Sequence, residues 1–349
     1  MAAVATIEAE STATLEFPGG IRIASTLSID EPGKGTWLEL VYRIGGNETW
    51  HLATLPPSLV PTKGAVEATG WLDLQAQYIP PGLPITYRWQ LAGGDGVIAG
   101  SAEESTLWYD TRQDWQHATG EHIAMHWYGL DAGFAAEILA SADGTVSELE
   151  RRFGLATSSL FELWVYPEQG AFLEALVPNS REALAAATYP DFGITLAVVP
   201  NGLEAEIGRV IPHEVTHLVL FEATTSPFST VPLWFNEGLA THIQVGGTGG
   251  YLSMVTRALD EGRLYSLSSI DVIFPYTAYE ATLAYAASWS ALQYIGETWG
   301  DAGISALIEA YAAGLPWDDA MHSALGVTMD EFDVGWREWI AAQALEEAA

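Results

Sequence analysis

IPHEVTHLVLFE, residues 211–222, has the apolar content of a buried helix and yet carries His213, Glu214 and His217. On an α-helix residues four apart stack one turn above the other, so the two imidazoles share a face, about 6 Å apart at the backbone. Glu214 is rotated by about 100° from His213 and lies beside that face without being forced onto it. Two imidazoles so placed suit two ligands of one tetrahedral ion, with the carboxylate beside them as a base. The same spacing also arises by chance on exposed helices. Here the flanks, IGRVI before and VTHLVLF after, are strongly apolar, and a charged Glu214 is costly there unless a cation or hydrogen bonds compensate it. Pro212 lacks the N–H that would bond to residue 208, so the sequence predicts a kink or a fresh helix start just before His213.

A tetrahedral site needs a third ligand. With no cysteine in the chain, any metal must be held by His, Asp or Glu. Glu237 stands in VPLWFNEGLATHI with apolar residues on both sides, and a helix beginning near Asn236 would aim it back from its first turn at the first helix. HEVTH, followed twenty positions after His217 by Glu237 in the string WFNEGLA, resembles the gluzincin metallopeptidases. Thermolysin and the aminopeptidase N family share the arrangement, and the peptidase MA-like families look most similar. The likeness extends over roughly residues 120 to 345, including the closing segment GVTMDEFDVGWREWI.

That resemblance implies one zinc ion per chain on His213, His217 and Glu237, with Glu214 as general base to a zinc-activated water. It also implies a tyrosine as oxyanion donor past the third ligand, a position matched by Tyr285 in LAYAASWSALQYIG. One such donor is worth about 3 kcal/mol. Tyr276, Tyr279 and Tyr294 are neighbours able to serve, and any tyrosine in a helical bundle also serves simply as packing. The chain departs from its better-known relatives in lacking the G-x-M-E-N segment that grips a substrate's free amino terminus: nothing like it stands in AAATYPDFGITLAVV. Thr241, one turn after Glu237, is positioned to hydrogen-bond a ligand. His242 is either a donor or proton carrier near the cleft or ordinary packing.

Composition narrows the partners. Asp and Glu number 45 against 13 Lys and Arg, a formal charge of -32, which repels nucleic acid and anionic membranes and attracts cationic peptides. The acids are dispersed and charged residues make up only 17% of the chain, unlike a disordered acidic tail. There is no apolar run long enough for a membrane span, and MAAVATIEAESTATLEF lacks the basic start of a signal peptide. A chain without cysteine and with few lysines suits an extracellular or cell-surface protein given in mature form; a cytoplasmic one would look the same.

Along the chain, short alternating runs such as IRIASTLSI, TWLELVYRIGG and ITYRWQL are separated by turn segments such as EPGKG, IPPGLP and AGGDG. They predict an antiparallel, immunoglobulin-like β-sandwich over 1–118, with Trp37, Trp89 and Trp108 as core, the alternative being residues that stack on a sugar or peptide. Strand and helix signals then alternate over 119–248, a thermolysin-like catalytic subdomain holding both ligand helices. Residues 249–349 read as a helical C-terminal subdomain closing the cleft. The fold class expected is therefore multidomain α+β. ITLAVVP, 194–200, is expected as the sheet edge against which an extended peptide pairs. The function expected is a zinc-dependent endopeptidase of broad specificity. Two alternatives stand beside it: an aminopeptidase anchoring its amine on Glu204, Glu206 or Glu280, and a catalytically silent peptide- or surface-binding protein.

Overall fold

Residues alternate between buried and exposed along early strands such as Gly20–Asp30, the period of strands with one wet face. The computed structural model describes residues 6–76, 78–176, 185–227, 231–271, 274–275 and 277–347. Strands β1 (Thr6–Glu16), β2 (Gly20–Asp30), β3 (Trp37–Ile44), β4 (His51–Leu52), β5 (Gly64–Asp73), β6 (Leu83–Gly93), β7 (Gly96–Gly100) and β8 (Glu104–Trp108) form two antiparallel sheets. One has the order β1-β2-β5; the other runs β4-β3-β6-β7, with β8 also on β6.

In β2, Ile21, Ile23, Ser25, Leu27 and Ile29 are all buried, one face of a period-two strand. Trp89 Nε1 on β6 donates to Ser25 Oγ at 2.8 Å, satisfying two buried polar atoms and tying the sheets' inner faces together. Trp89 and Trp108 are core, as expected. Trp37 is not: it is 44% exposed, because its N–H donates to Glu39 Oε1 on the same outer face. The strand β5 escapes sequence reading because Gly64, Ala65, Ala68 and Gly70 dilute its β signal.

A second set of elements follows: β9 (Gln116–Thr119), β10 (Ile123–Trp127), α1 (Ala132–Phe153), β11 (Phe161–Tyr166), α2 (Gln169–Ala175), β12 (Ala186–Tyr189), β13 (Ile194–Val198), α3 (Glu204–Thr224), α4 (Leu233–Ile243), α5 (Tyr251–Asp260), α6 (Ala278–Ala312), α7 (Trp317–Leu325) and α8 (Met329–Glu347). The chain divides into two units, Met1–Trp115 with Gly170–Glu182, and Gln116–Gln169 with Ala183–Ala349. Most of α2 thus belongs to the β-rich unit, where Tyr78 donates to the carbonyl of Ala175 at 3.0 Å.

The second unit's sheet has the order β12-β13-β11-β10-β9. β10, β11 and β13 are mutually parallel, while β9 and β12 run antiparallel at the two rims. All five residues of β13 are buried, the mark of a central strand covered on both faces. ITLAVVP is therefore not the edge expected of it. Among the described residues the edge next to it is β12, four residues of the sequence AATY.

α1 and α3 lie against this sheet, and α4 to α8 complete one continuous core that runs from Ile123 to Ile340. Large aromatic side chains, Trp234, Phe235, Tyr311, Phe332 and Trp336, are essentially fully buried in it. α6 is broken at Gly300, where φ is +70°, a conformation that favours glycine. No described helix is long and apolar enough to cross a membrane.

Candidate metal centre

α3 continues through Pro212 in its third turn without interruption, so the fresh start expected there does not form. The reason lies elsewhere in the chain. The carbonyl of Gly208, deprived of its helical donor, accepts the N–H of Val245 at 2.8 Å, just past the end of α4. Gly208 permits that approach: a Cβ there would stand 3.2 Å from Val245 Cβ and 3.3 Å from its carbonyl oxygen.

α4 begins at Leu233, three residues before the expected start near Asn236. Pro232 caps it, its carbonyl accepting from the N–H groups of Phe235 and Asn236, each at 3.0 Å. Glu237 consequently projects from the second turn. The glycine of WFNEGLA has a steric cause, since a Cβ on Gly238 would come within 2.7 Å of the Ser288 carbonyl oxygen and 2.6 Å of Leu292 Cδ2 on α6. Only glycine lets α4 cross α6 this closely.

These two helices bring together His213, His217 and Glu237, whose candidate ligand atoms all lie within 4.8 Å of one another. Glu237 Oε2 is 3.3 Å from His213 Nε2 and 3.7 Å from His217 Nε2. Each far nitrogen faces an oxygen that can only accept: His213 Nδ1 meets Gln244 Oε1 at 3.0 Å, and His217 Nδ1 meets Asn236 Oδ1 at 2.8 Å. Both Nδ1 atoms are therefore the protonated ones, and both Nε2 lone pairs turn toward Glu237.

The set fits a metal ion on its own terms. Glu237 Oε2 is buried with no hydrogen-bond partner, a costly state for a carboxylate oxygen unless a cation takes it. A tetrahedral ion with bonds near 2.0–2.1 Å spaces its ligand atoms by about 3.3 Å, the scale of the separations here. Charge within the set is likewise mutual. Burial, the largest influence on both groups, opposes charge, but it is outweighed: Glu237 and Glu214 raise the His213 pKa, and His217 and His213 lower that of Glu237.

Glu214 stands apart from the three. Its Oε2 accepts the Thr188 hydroxyl at 2.6 Å, and Thr188 Oγ1 in turn lies 2.7 Å from Oγ1 of the fully buried Thr195. The two threonines are directly paired across β12 and β13. The edge strand thereby holds the carboxylate beside the metal ligands.

Of the tyrosines, Tyr285 is beside the set, its ring centroid 6.2 Å from that of His213 and 4.9 Å from Phe274. Tyr294 packs among Trp299, Phe332 and Trp339 in the helical core, and Tyr279 is exposed. Tyr276 lies outside the described residues. Thr241 is buried without a hydrogen-bond partner and touches no ligand in the way expected.

His242 faces away from the cleft, into a polar cluster joining three helices. Its Nε2 is 3.0 Å from Arg152 Nη2 and its Nδ1 3.0 Å from Gln293 Nε2, while Arg152 is doubly bonded to Asp301. Burial and then the Arg152 charge push the His242 pKa down to about 4. Glu204 and Glu280 are exposed, the latter donating its N–H to Oγ1 of Thr277, the cap of α6, and accepting that hydroxyl on its carboxylate, and Glu206 pairs with Arg209. Asn236, Gln244 and Thr188 escape sequence reading. Asn236 and Gln244 flank Glu237 within the same helical segment, a signal available in principle, whereas a lone threonine in AATY carries none.

No curated protein matches the chain. Among solved structures it resembles an aminopeptidase N family protein from Idiomarina loihiensis at 10% identity and a TM-score of 0.44, over 94% of this chain and 75% of that one. A proposed β-galactosidase from Bacteroides fragilis aligns at 10% identity with a TM-score of 0.17, over 62% of this chain and 37% of that one. The model of the Peptidase MA superfamily matches residues 141–342, a span that begins on α1, takes in both ligand helices and ends within α8. More than half of the chain, including HEVTH and WFNEGLA, thus follows the family pattern, and the chain belongs to the Peptidase MA superfamily.

Proposed function

We propose that the protein is a zinc-dependent peptidase that cleaves within peptide chains with broad specificity. The observation that carries this reading is the pairing of an orphaned, buried Glu237 Oε2 between two imidazoles with a separately anchored carboxylate, Glu214. His213 Nε2, His217 Nε2 and a Glu237 oxygen would hold the ion. Zinc suits two imidazoles and a carboxylate, and when bound it supplies Lewis acidity and brings the pKa of a water to about 7.

The chain's own residues do the rest. Because Oε2 of Glu214 is occupied by Thr188, Oε1 is the oxygen that takes the proton of the attacking water and then delivers it to the leaving amine. Tyr285 donates its hydroxyl to the oxyanion, a contribution of about 10²- to 10³-fold for one such donor. Strand β12, a rim strand of its sheet among the described residues, would pair its main chain with an extended peptide, and such pairing is indifferent to side chains. The -32 charge favours cationic peptides over acidic ones.

The same reading takes the two N-terminal sheets as an immunoglobulin-like accessory domain and the second unit as a thermolysin-like catalytic domain, with a place outside the cell or on its surface. The decisive experiment compares wild type and Glu214→Gln for zinc content and for cleavage of acetylated peptides. One equivalent of zinc in both proteins, with cleavage lost only in the variant, is the expected result. Zinc lost with the substitution would mean that ligand and base have been exchanged. Zinc bound by a wild type that cleaves nothing would mean a silent binder.

A further inference from the structure

Next to His217, on the side of Asn236, a cavity of about 340 Å³ opens within the second unit, inside the size range of small-ligand sites. Leu220, Phe221, Val231 and Pro190 give it an apolar wall. His217, Asn236 and Ser226 contribute polar groups on its other sides, and two further hydroxyls are already committed as donors. Thr224 Oγ1 and Thr225 Oγ1 each spend their proton on a carbonyl of α3, on Leu220 at 2.6 Å and Phe221 at 2.7 Å. What they still offer is lone pairs. Among the described residues, the one carboxylate lining the cavity is Asp191, in the short turn that follows β12. The cavity therefore combines an apolar passage with acceptors and a negative charge, which matches an aliphatic stem ending in an ammonium or guanidinium.

The edge strand sets which residue of a substrate would enter. β12 runs from Ala186 to Tyr189 and leads into Pro190 and Asp191, with Glu214 anchored at Thr188. A peptide paired antiparallel to β12 runs the opposite way, so residues before its reacting bond lie toward Asp191. That residue is three positions beyond Thr188, at most about 10 Å away even were the chain fully extended, and within reach of a long side chain. Resting on the peptidase reading above, we propose that this cavity holds the Lys or Arg side chain on the acyl side of the bond that is cut, with Asp191 as its counter-charge.

The test uses zinc-loaded wild type, Asp191→Asn and Asp191→Lys on a library of amino-terminally acetylated peptides, with cut positions read by mass spectrometry. Wild type should cut after Lys or Arg in preference to Leu, and Asp191→Asn should reduce that ratio by about tenfold or more, the scale for losing a hydrogen bond to a charged group. Asp191→Lys should move the preference to acidic residues. Cleavage with no basic preference, with that preference on the leaving side, or with a ratio unchanged in Asp191→Asn overturns the proposal while leaving the peptidase reading intact. Cleavage confined to peptides with a free amino terminus also overturns it. A second readout needs no turnover: titration of agmatine, an aliphatic guanidinium, should show binding to wild type that Asp191→Asn weakens about tenfold. Agmatine binding in a protein that cuts no peptide would sink the peptidase reading alone; failure of wild type to bind agmatine would sink the cation pocket.

Discussion

Replacing Thr188 by valine keeps the side chain's shape and removes one hydroxyl. That hydroxyl donates to Glu214 Oε2 at 2.6 Å, and a hydrogen bond to a charged group is worth about 1.5–3 kcal/mol. Converted to rate, this is about ten- to a hundredfold. In the proposed mechanism the carboxylate acts on the attacking water rather than on substrate binding, so the loss should fall on kcat with KM little changed. Thr195, fully buried, also loses its Oγ1 partner, at a cost to stability of about 1–3 kcal/mol. A thermal melt measured alongside separates that effect from catalysis. The assay is steady-state cleavage of a fluorogenic peptide with zinc content measured on the same samples. Thr188→Ser, which restores the hydroxyl, should recover most of the rate. A folded, zinc-loaded Thr188→Val protein with kcat within about twofold of wild type would refute the idea that β12 positions the base, as would a serine variant no better than valine.

Asn236→Ala and Gln244→Ala should each weaken zinc binding by about 10- to 100-fold, since each removes the acceptor that fixes one imidazole's tautomer; competition with a chelator measures it, and unchanged affinity in both would contradict the assignment. His242, held at about 4 against an ordinary 6.5, is neutral in the fold, whereas the unfolded chain takes up a proton once the pH falls below 6.5. Its contribution to stability is thus complete above pH 6.5 and is lost as the pH falls toward 4, by about 2.5 kcal/mol at pH 4.5. Denaturant melts of wild type and His242→Gln at pH 7 and pH 4.5 should differ in their acid loss by about that amount; equal losses would show that the histidine carries no such penalty.

The candidate site is legible in the sequence because its parts are local. His213, Glu214 and His217 lie within two turns of one helix, and Glu237 shares a short helix with the asparagine and glycine that position it. What escaped notice depends on contacts between distant segments. Thr188 is 26 residues from Glu214 and Gln244 is 31 from His213, separations at which periodicity says nothing. The unbroken helix through Pro212 has the same origin: the lost helical bond is replaced by a donor from Val245, beyond the next helix. ITLAVVP looked like an edge because β12, in front of it, is too short and alanine-rich to announce itself. In the N-terminal sheets, Trp89 and Trp108 follow the rule that large aromatic residues fill a core, and Trp37 breaks it by finding a polar partner outside.

The bond between Val245 N–H and the Gly208 carbonyl makes a single amide into a gauge of the whole site. The Val245 side chain is 71% exposed, and by position alone its amide would exchange with deuterium as quickly as any surface loop. Its partner, however, sits one turn before the first ligand, on the other helix. That amide is released only when the segment after α4 lifts off α3, so its exchange rate reports the free energy of parting the two halves of the metal centre. A zinc ion held as proposed would bind only the joined state and should slow that exchange as occupancy rises.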